Sequence, residues 1–161
     1  DIILAVGALD IGIFGFNAYS GRVHGTLDAE IRLKNVVRLK IFKVQKPSPQ
    51  HWTNIALGRS NFYLSLTVNS QSHIICINLE IGGARAKEHF DKLRDLYEED
   101  SKEHISADIE WLRLDDRKSC MVKLSKSFNF TDESSRDEQY AWFVEYVKKY
   151  IHYFRPKVKS I

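Results

Sequence analysis

The sequence predicts an α+β fold in which one antiparallel sheet is covered by two helices on one face, with the element order β-β-β-α-β-β-α. Three observations predict it. Apolar and polar side chains alternate through successive segments between residues 52 and 81, which is typical of half-buried strands. Two later segments carry apolar residues at helical spacing. Two further short strand-like runs lie between these helical segments.

Length and composition fit one compact domain. The chain has 161 residues, of which 43% are hydrophobic and 28% charged. A chain of this size buries about 70% of its unfolded surface and needs neither disulfides nor a metal to fold. Cys76 and Cys120 have no cysteine or histidine at zinc-ligand spacing, so we expect two buried free thiols, a reducing compartment and a cytoplasmic location.

The chain divides into two parts at about residue 45. We expect residues 1–45 to form a strand-rich N-terminal segment and residues 46–161 to form the α+β domain. The apolar opening, residues 2–16, is interrupted by Asp10 and is too short to span a membrane, so we expect no membrane association. Between residues 36 and 44 the apolar residues alternate with Arg38 and Lys40, which predicts a strand with a basic outer face.

The first three strands of the α+β domain follow a Pro-punctuated loop. Residues 52–57 form a short apolar run, and residues 62–68 and 75–81 alternate between apolar and polar side chains. The polar stretch 69–72 predicts a hairpin loop between the last two strands. Gly82 and Gly83 then end the run of strands.

A helix is predicted after these glycines. Ala86, Phe90, Leu93 and Tyr97 lie on one stripe at helical spacing. The residues between them are predicted to form a solvated face: Lys87, Glu88, Asp91, Lys92, Arg94 and Asp95.

Two strands and a second helix complete the domain. The strands are predicted at residues 109–114 and 121–125, with a polar turn between them. Ser135 and Glu138 have the spacing of a capping box, which predicts the start of the last helix. We expect this helix to stop at Arg155-Pro156, because proline lacks the N–H that the helix needs.

The last helix carries a second aromatic row beside its core stripe. The row consists of Trp142, Tyr146, Tyr150 and Tyr153. A helix that is apolar on nearly all sides is normally buried or joined to a partner. Three interpretations stay open: packing on two sides within this domain, an interface for another chain such as a second copy, or stacking of nucleobases.

Positive charge is concentrated in two segments. Residues 31–59 contain seven basic residues and no acid, and the chain from Tyr146 onward adds five more bases, again without an acid. Together these segments predict a face that binds a polyanion such as nucleic acid. The alternative is that they are ordinary solvated faces of strands and helices.

No catalytic constellation is visible in the sequence. The six histidines are scattered, without a metal-binding or nucleophile motif. Asp10 followed by Glu30-Ile31-Arg32 only imitates the acid pair and lysine of a metal-dependent nuclease, because arginine stands where lysine is needed. We therefore expect no catalytic residues, no metal ion and no cofactor.

Several segments together carry a family resemblance. They are K-P-S-P-Q-H-W through G-R-S in residues 46–60, F-D-K-L in 90–93, E-W-L-R-L-D-D-R-K in 110–118 and Y-F-R-P-K in 153–157. Over about residues 45–161 the chain resembles the prokaryotic family called domain of unknown function 4268. The resemblance implies an accessory domain often found C-terminal to a nuclease-like domain. Residues 1–44 do not match that nuclease half.

These observations lead to one functional hypothesis. We expect a non-catalytic accessory domain of a DNA-processing or restriction-type system, with a nuclease-like domain or a homodimer mate as its protein partner. The candidate nucleic-acid-binding residues are Lys40, Lys43, Lys46, His51, Arg59, Ser60, Arg113, Arg117 and Lys118. Arginine and hydroxyl side chains in turns are suited to phosphate oxygens. The alternatives are that Arg59 pairs internally with Asp115 or Asp116, and that the domain is a protein-interaction module using the aromatic row.

Overall fold

The computed structural model of the chain describes residues 52–69, 71–129 and 135–161. The predicted strand at 36–44 and the proposed domain boundary at residue 45 lie outside these residues. The elements are β1 (Trp52–Arg59), β2 (Phe62–Asn69), β3 (Ile74–Ile81), α1 (Ala86–His104), β4 (Glu110–Leu112), β5 (Cys120–Ser127) and α2 (Ser135–Ser160).

The five strands form one antiparallel sheet in the order β1-β2-β3-β5-β4. Neighbouring strands are in a register that aligns Leu64, Leu79 and Val122 across the sheet. Because successive side chains of a strand point to opposite faces, this alignment gathers the apolar positions on one face. The predicted α+β class and element order are confirmed.

Both helices cover the apolar face of the sheet. Phe90 and Leu93 of α1 and Tyr150 and Phe154 of α2 are fully buried against it. Trp111 of β4 lies between the helices, with its ring 5.8 Å from that of Phe90 and 6.0 Å from that of Phe154. Burial of each such apolar side chain contributes about 1.5–3 kcal/mol, so this layer supplies much of the stability of the fold.

The predicted hairpin loop between β2 and β3 is confirmed. The side-chain oxygen of Asn69 accepts hydrogen bonds from the backbone N–H groups of Gln71 and Ser72, both at 3.0 Å. Here the side-chain oxygen takes the place of a backbone carbonyl as the hydrogen-bond acceptor, which stabilises the turn. His73 then takes a left-handed conformation, with φ of 53°, before β3 begins.

Helix α1 extends beyond the predicted apolar stripe, which ends at Tyr97, as far as His104. Its last turns are stabilised by polar contacts. The hydroxyl of Ser101 is buried, donates to the carbonyl of Glu98 at 2.7 Å and accepts from the indole N–H of Trp111 at 3.1 Å. A hydrogen bond between a helix residue and a neighbouring strand holds the helix against that strand, even where the helix residue is polar.

The expected end of α2 at Arg155-Pro156 is wrong, because the helix continues to Ser160 with Pro156 inside it. Pro156 is exposed, so the carbonyl left without its helical donor can face water. Val158, two residues later, is fully buried in the core. Packing of this turn therefore outweighs the local preference of proline for ending a helix.

Both cysteines are free thiols, Cys120 buried and Cys76 half-buried. Burial raises the pKa of each thiol, which makes neither a reactive nucleophile. Within the described part of the chain, no helix is long and apolar enough to cross a membrane.

Candidate functional site

Three connections meet at one end of the sheet, which we call the loop end. They are the β1–β2 turn (residues 60–61), the β3–α1 connection (82–85) and the β4–β5 loop (113–119). They lie at the same end because the register aligns Phe62 with Ile81, and Ile81 with Cys120. Five candidate residues lie at this end, but on opposite edges of the sheet. Arg59 and Ser60 are at the β1 edge, and Arg113, Arg117 and Lys118 are in the β4–β5 loop at the other edge.

The Arg59 side chain forms its hydrogen bonds within the domain. One guanidinium nitrogen, Nη1, donates to the main-chain carbonyl of Val158 at 2.6 Å and also to that of Ile161. The guanidinium carbon lies 5.1 Å from the centre of the Phe62 ring. Arg59 therefore binds the C-terminal end of α2, where the carbonyl groups of a helix attract positive charge.

Asp115, one of the two acids suggested as a partner of Arg59, pairs with Arg113 instead. Arg113 donates to both carboxylate oxygens of Asp91 in α1, at 3.0 and 3.3 Å from Nε, and forms an ion pair with Asp115. The positive charge of Arg113 is thereby balanced by two carboxylates. Arg113 fixes the start of the β4–β5 loop against α1 and has little capacity left for an external anion.

The position of Lys87 in the helix predicts a solvated side chain, but the side chain binds within the domain. Its ammonium group donates to the carbonyls of Arg113 at 2.5 Å, Leu114 at 2.6 Å and Ser119 at 3.4 Å. The expectation of a solvated side chain is therefore wrong for Lys87. Sequence reasoning missed this contact because its partners lie 26–32 residues away and are backbone groups, which leave no pattern in the sequence.

A depression of about 510 Å³ lies at the loop end. It is lined by Gly83, Ala84, Ala86, Lys87, Arg117 and Lys118. Arg117 and Lys118 are exposed, and neither forms an ion pair with a residue that the structure describes. The lining includes three basic side chains and no acidic one.

The N-terminal end of α1 forms one wall of this depression. The helix begins at Ala86, and its N-cap residue, Arg85, makes no side-chain cap hydrogen bond. Arg85 instead donates to both carboxylate oxygens of Glu88, and these hydrogen bonds lower the pKa of Glu88 to about 2. The N–H of Ala86 donates to the carbonyl of Gly83 at 3.2 Å, and the other N–H groups in the first turn of a helix commonly attract anions.

Glu80, at the end of β3, is a negative charge in reach of Arg117. Burial raises the pKa of Glu80, and the positive charge of Arg117 opposes this rise. Burial also raises the pKa of Tyr63, which is aligned with Glu80 across the sheet. Glu80 and Tyr63 point to the face of the sheet opposite the helices, away from the Phe62 and Ile81 side, where Ser65 and Asn78 are also buried.

His89 lies on α1 near the loop end, with its ring 5.4 Å from that of Phe62. Both ring nitrogens are buried and have no hydrogen-bond partner. Burial lowers the pKa of His89, and the positive charges of Arg59, Arg85 and Lys92 lower it further against the opposing charge of Glu88. The neutral ring therefore prevails in the folded protein near pH 7.

The other candidate residues fall into two groups. Lys40, Lys43, Lys46 and His51 lie outside the described residues, so whether they join the loop end stays a prediction. Ser60 is exposed in the β1–β2 turn. Among the described residues, no three histidine, cysteine, aspartate or glutamate side chains lie close enough to hold a metal ion.

The aromatic row of α2 lies mostly inside the domain. Trp142, Tyr150 and Tyr153 are 8%, 0% and 9% exposed. The Tyr153 hydroxyl donates to the carboxylate of Asp100 in α1. Tyr146 is half-buried and lies 4.6 Å from the ammonium group of Lys149. Packing within the domain thus accounts for the row, and Tyr146 alone offers part of its ring to a partner.

The fold and the loop end define a small α+β domain whose sheet carries both helices on one side and whose connections place basic side chains at one end. The chain belongs to the family described as Domain of unknown function (DUF4268), whose family model matches residues 30–157. The match begins ahead of β1 and includes every described element up to the last turn of α2. No curated protein and no solved structure matches the chain significantly.

Proposed function

We propose that the chain is a non-catalytic accessory domain that binds nucleic acid through phosphate groups at the loop end. One observation carries this proposal. Arg117 and Lys118, which form no ion pair with a described residue, line the same depression as the N-terminal end of α1. Arginine, lysine and the N–H groups of a helix N-terminus are the donors that commonly bind phosphate.

The charge distribution favours a polyanion over a small anion. The other bases of α1 are paired with carboxylates of the same helix, such as Lys92 with Glu88 and Lys102 with Glu99. Lys87 is the base of α1 without a carboxylate partner within the described ranges, and it lines the depression together with Arg117 and Lys118, with Glu80 as the acid in reach of Arg117. The basic segment 31–59 leads into β1 at Trp52, which is at the end of the sheet opposite the loop end, while Arg59 at the other end of β1 is bound to α2. A backbone with one charge per nucleotide would engage both regions, as a single phosphate would not.

The resemblance to accessory domains supplies the biological setting of the proposal. In a DNA-processing or restriction-type system, this domain would hold the nucleic acid while a nuclease-like domain cleaves it. The catalytic groups would then belong to that other domain. Phosphate contacts position a protein on nucleic acid without reading its sequence, so we expect little sequence preference from the loop end.

The test is the salt dependence of binding. Fluorescence anisotropy with a labelled DNA duplex, repeated at several salt concentrations, gives the slope of log K against log salt. We expect a negative slope, and we expect Arg117→Ala/Lys118→Ala to make it shallower by about 1.8, since each lost phosphate contact contributes about 0.9. Labelled single-stranded DNA and RNA measured in parallel would show which form is preferred.

The double variant Lys92→Ala/Lys102→Ala is the matched control, because it removes the same charge from the exposed face of α1. It should bind almost as the unaltered protein does. Equal loss in both double variants would mean that only net charge matters. Absence of binding to every probe at micromolar protein and low salt would refute the proposed function.

A further inference from the structure

We propose that Lys87 is the positioning residue of the nucleic-acid site: it holds the β4–β5 loop so that Arg117 and Lys118 face the depression, and it does not bind phosphate itself. This inference rests on the proposed function. Of the three basic side chains that line the depression, it assigns phosphate binding to Arg117 and Lys118 and positioning of the loop to Lys87.

The hydrogen bonds of Lys87 support the positioning role. A lysine ammonium group has three N–H donors and no acceptor. Three carbonyl oxygens, of Arg113, Leu114 and Ser119, lie within hydrogen-bonding distance of the Lys87 ammonium group. Its donors are therefore engaged within the domain. A phosphate could bind Lys87 only by displacing one of these carbonyls.

The positions of the three carbonyls explain what Lys87 does. Arg113 and Leu114 are the first two residues of the β4–β5 loop, and Ser119 is the last. One ammonium group thus ties both ends of the loop together. It also ties them to the first turn of α1, because Lys87 is the second residue of that helix. The loop and the helix N-terminus, which form two walls of the depression, are joined through this side chain.

The loop needs such a contact because its conformation is not favoured locally. Leu114 has φ of 50°, a left-handed conformation that costs a branched side chain about 1–2 kcal/mol. The carbonyl of Leu114 accepts from Lys87 and also from the backbone N–H of Arg117 at 2.9 Å. The contact made by Lys87 is therefore one hydrogen bond away from the backbone of Arg117.

The experiment compares three variants of the full chain. Lys87→Met keeps the length of the side chain and removes its donors. Lys118→Met removes an expected phosphate contact, and Lys92→Met removes a charge from an exposed position of α1. Each is measured for hydrogen exchange of the Arg117 amide in the free protein and for the salt dependence of binding to the DNA duplex.

The positioning role predicts a distinct result for each variant. In Lys87→Met, the Arg117 amide should exchange at least about tenfold faster, because the loop opens locally. Affinity should fall several-fold while the salt slope stays as in the unaltered protein. In Lys118→Met, the slope should become shallower by about 0.9 with exchange unchanged. Lys92→Met should change neither quantity.

Two results would overturn the inference. If Lys87→Met makes the salt slope shallower by about 0.9 and leaves the exchange unchanged, Lys87 is a phosphate contact. If exchange is unchanged and affinity is intact, Lys87 has no role in the site. Failure of the unaltered protein to bind DNA would refute the proposed function, and the exchange result would still decide whether Lys87 holds the loop. Should Lys87→Met not fold, slow exchange of the Lys87 ammonium protons in the unaltered protein decides it.

Discussion

A histidine with two buried and unpaired ring nitrogens makes the stability of a protein depend on pH. His89 is such a residue, and the cationic side chains near it are Arg59, Arg85 and Lys92, with Glu88 the nearby acid. Its pKa in the folded protein lies below the ordinary value, mainly because burial disfavours the charged ring. In the unfolded chain the pKa returns to about 6.5.

The sign of the effect follows from proton binding. As the pH falls through about 6.5, the unfolded chain binds a proton at His89 before the folded protein does, so the free energy of unfolding decreases. The loss continues until the pH reaches the lower pKa of the folded protein. We expect His89→Leu to weaken this acid-induced loss, measured as urea unfolding between pH 7.5 and 5. A ring proton that titrates by NMR at or above pH 6.5 would contradict the expectation.

Single residues also show where sequence reasoning reaches its limit. The sequence suggests that Arg59 binds nucleic acid or pairs with Asp115 or Asp116, but its partners in the structure are carbonyl groups at the end of α2. Backbone acceptors are present at every position, so no sequence pattern identifies the one that a given arginine will bind. The same holds for Lys87, whereas an acid such as Asp91, which pairs with Arg113, is at least visible as a charge.

At the scale of elements, the connection between β3 and α1 depends on one glycine. Gly83 has φ of 83°, and a Cβ atom there would lie 2.8 Å from the side-chain nitrogen of Asn61. Gly83→Ala should therefore lower the free energy of unfolding by about 1–2 kcal/mol, the cost of a left-handed conformation for a residue with a Cβ. Chemical denaturation measures this change.

The neighbouring glycine is the matched control for this prediction. A Cβ at Gly82 would meet its nearest atom, the carbonyl oxygen of Asn61, at 3.8 Å, which is ordinary contact. Gly82→Ala should leave stability unchanged or raise it by up to about 1 kcal/mol, because alanine restricts the unfolded chain. Equal destabilisation by both substitutions would show that the cost comes from the connection as a whole and not from the conformation of Gly83.

The elements themselves were largely predictable from the sequence. Alternation identified β2 and β3 because apolar side chains point to the helices and polar ones to the other face, although Ser65 and Asn78 on that other face are also buried. The end of α2 was not predictable. The rule that proline ends a helix considers only the local sequence, whereas the burial of Val158, which keeps the helix going, depends on the rest of the fold. The last turns of α1 were missed for a similar reason, since they depend on Ser101 bonding to Trp111.

At the scale of the whole molecule, the candidate site is a product of topology. Arg59, Arg113 and Arg117 are far apart in the chain, and antiparallel pairing brings their connections to the same end of the sheet, Arg59 at one edge and the other two at the opposite edge. The sequence predicted the strands but not which of these side chains would stay exposed. Arg113 and Arg59 have internal partners, because Asp91 binds Arg113 and the end of α2 binds Arg59.

Arg59 also joins the first described strand to the last helix, so its effect should reach the whole domain. Arg59→Met keeps an apolar chain over Phe62 and removes the donors to Val158 and Ile161. We expect the free energy of unfolding to fall by about 1.5–3 kcal/mol, the range for hydrogen bonds that involve a charged group. Amides in the last turn of α2 should exchange faster even under conditions in which the domain stays folded.

Arg94 provides the comparison that isolates this contact. Its guanidinium also lies over a phenylalanine, 5.7 Å from the ring centre of Phe90, but its polar partners are the carboxylates of Asp91 and Asp95, whose side chains are 36% and 70% exposed. Exposed ion pairs are screened by water and contribute little, so Arg94→Met should cost less than about 1 kcal/mol. A similar loss in both variants would assign the effect of Arg59 to its position over the ring. A larger loss in Arg59→Met, with faster exchange confined to the last turn of α2, would assign it to the two carbonyls, since no other described contact of Arg59 reaches that turn.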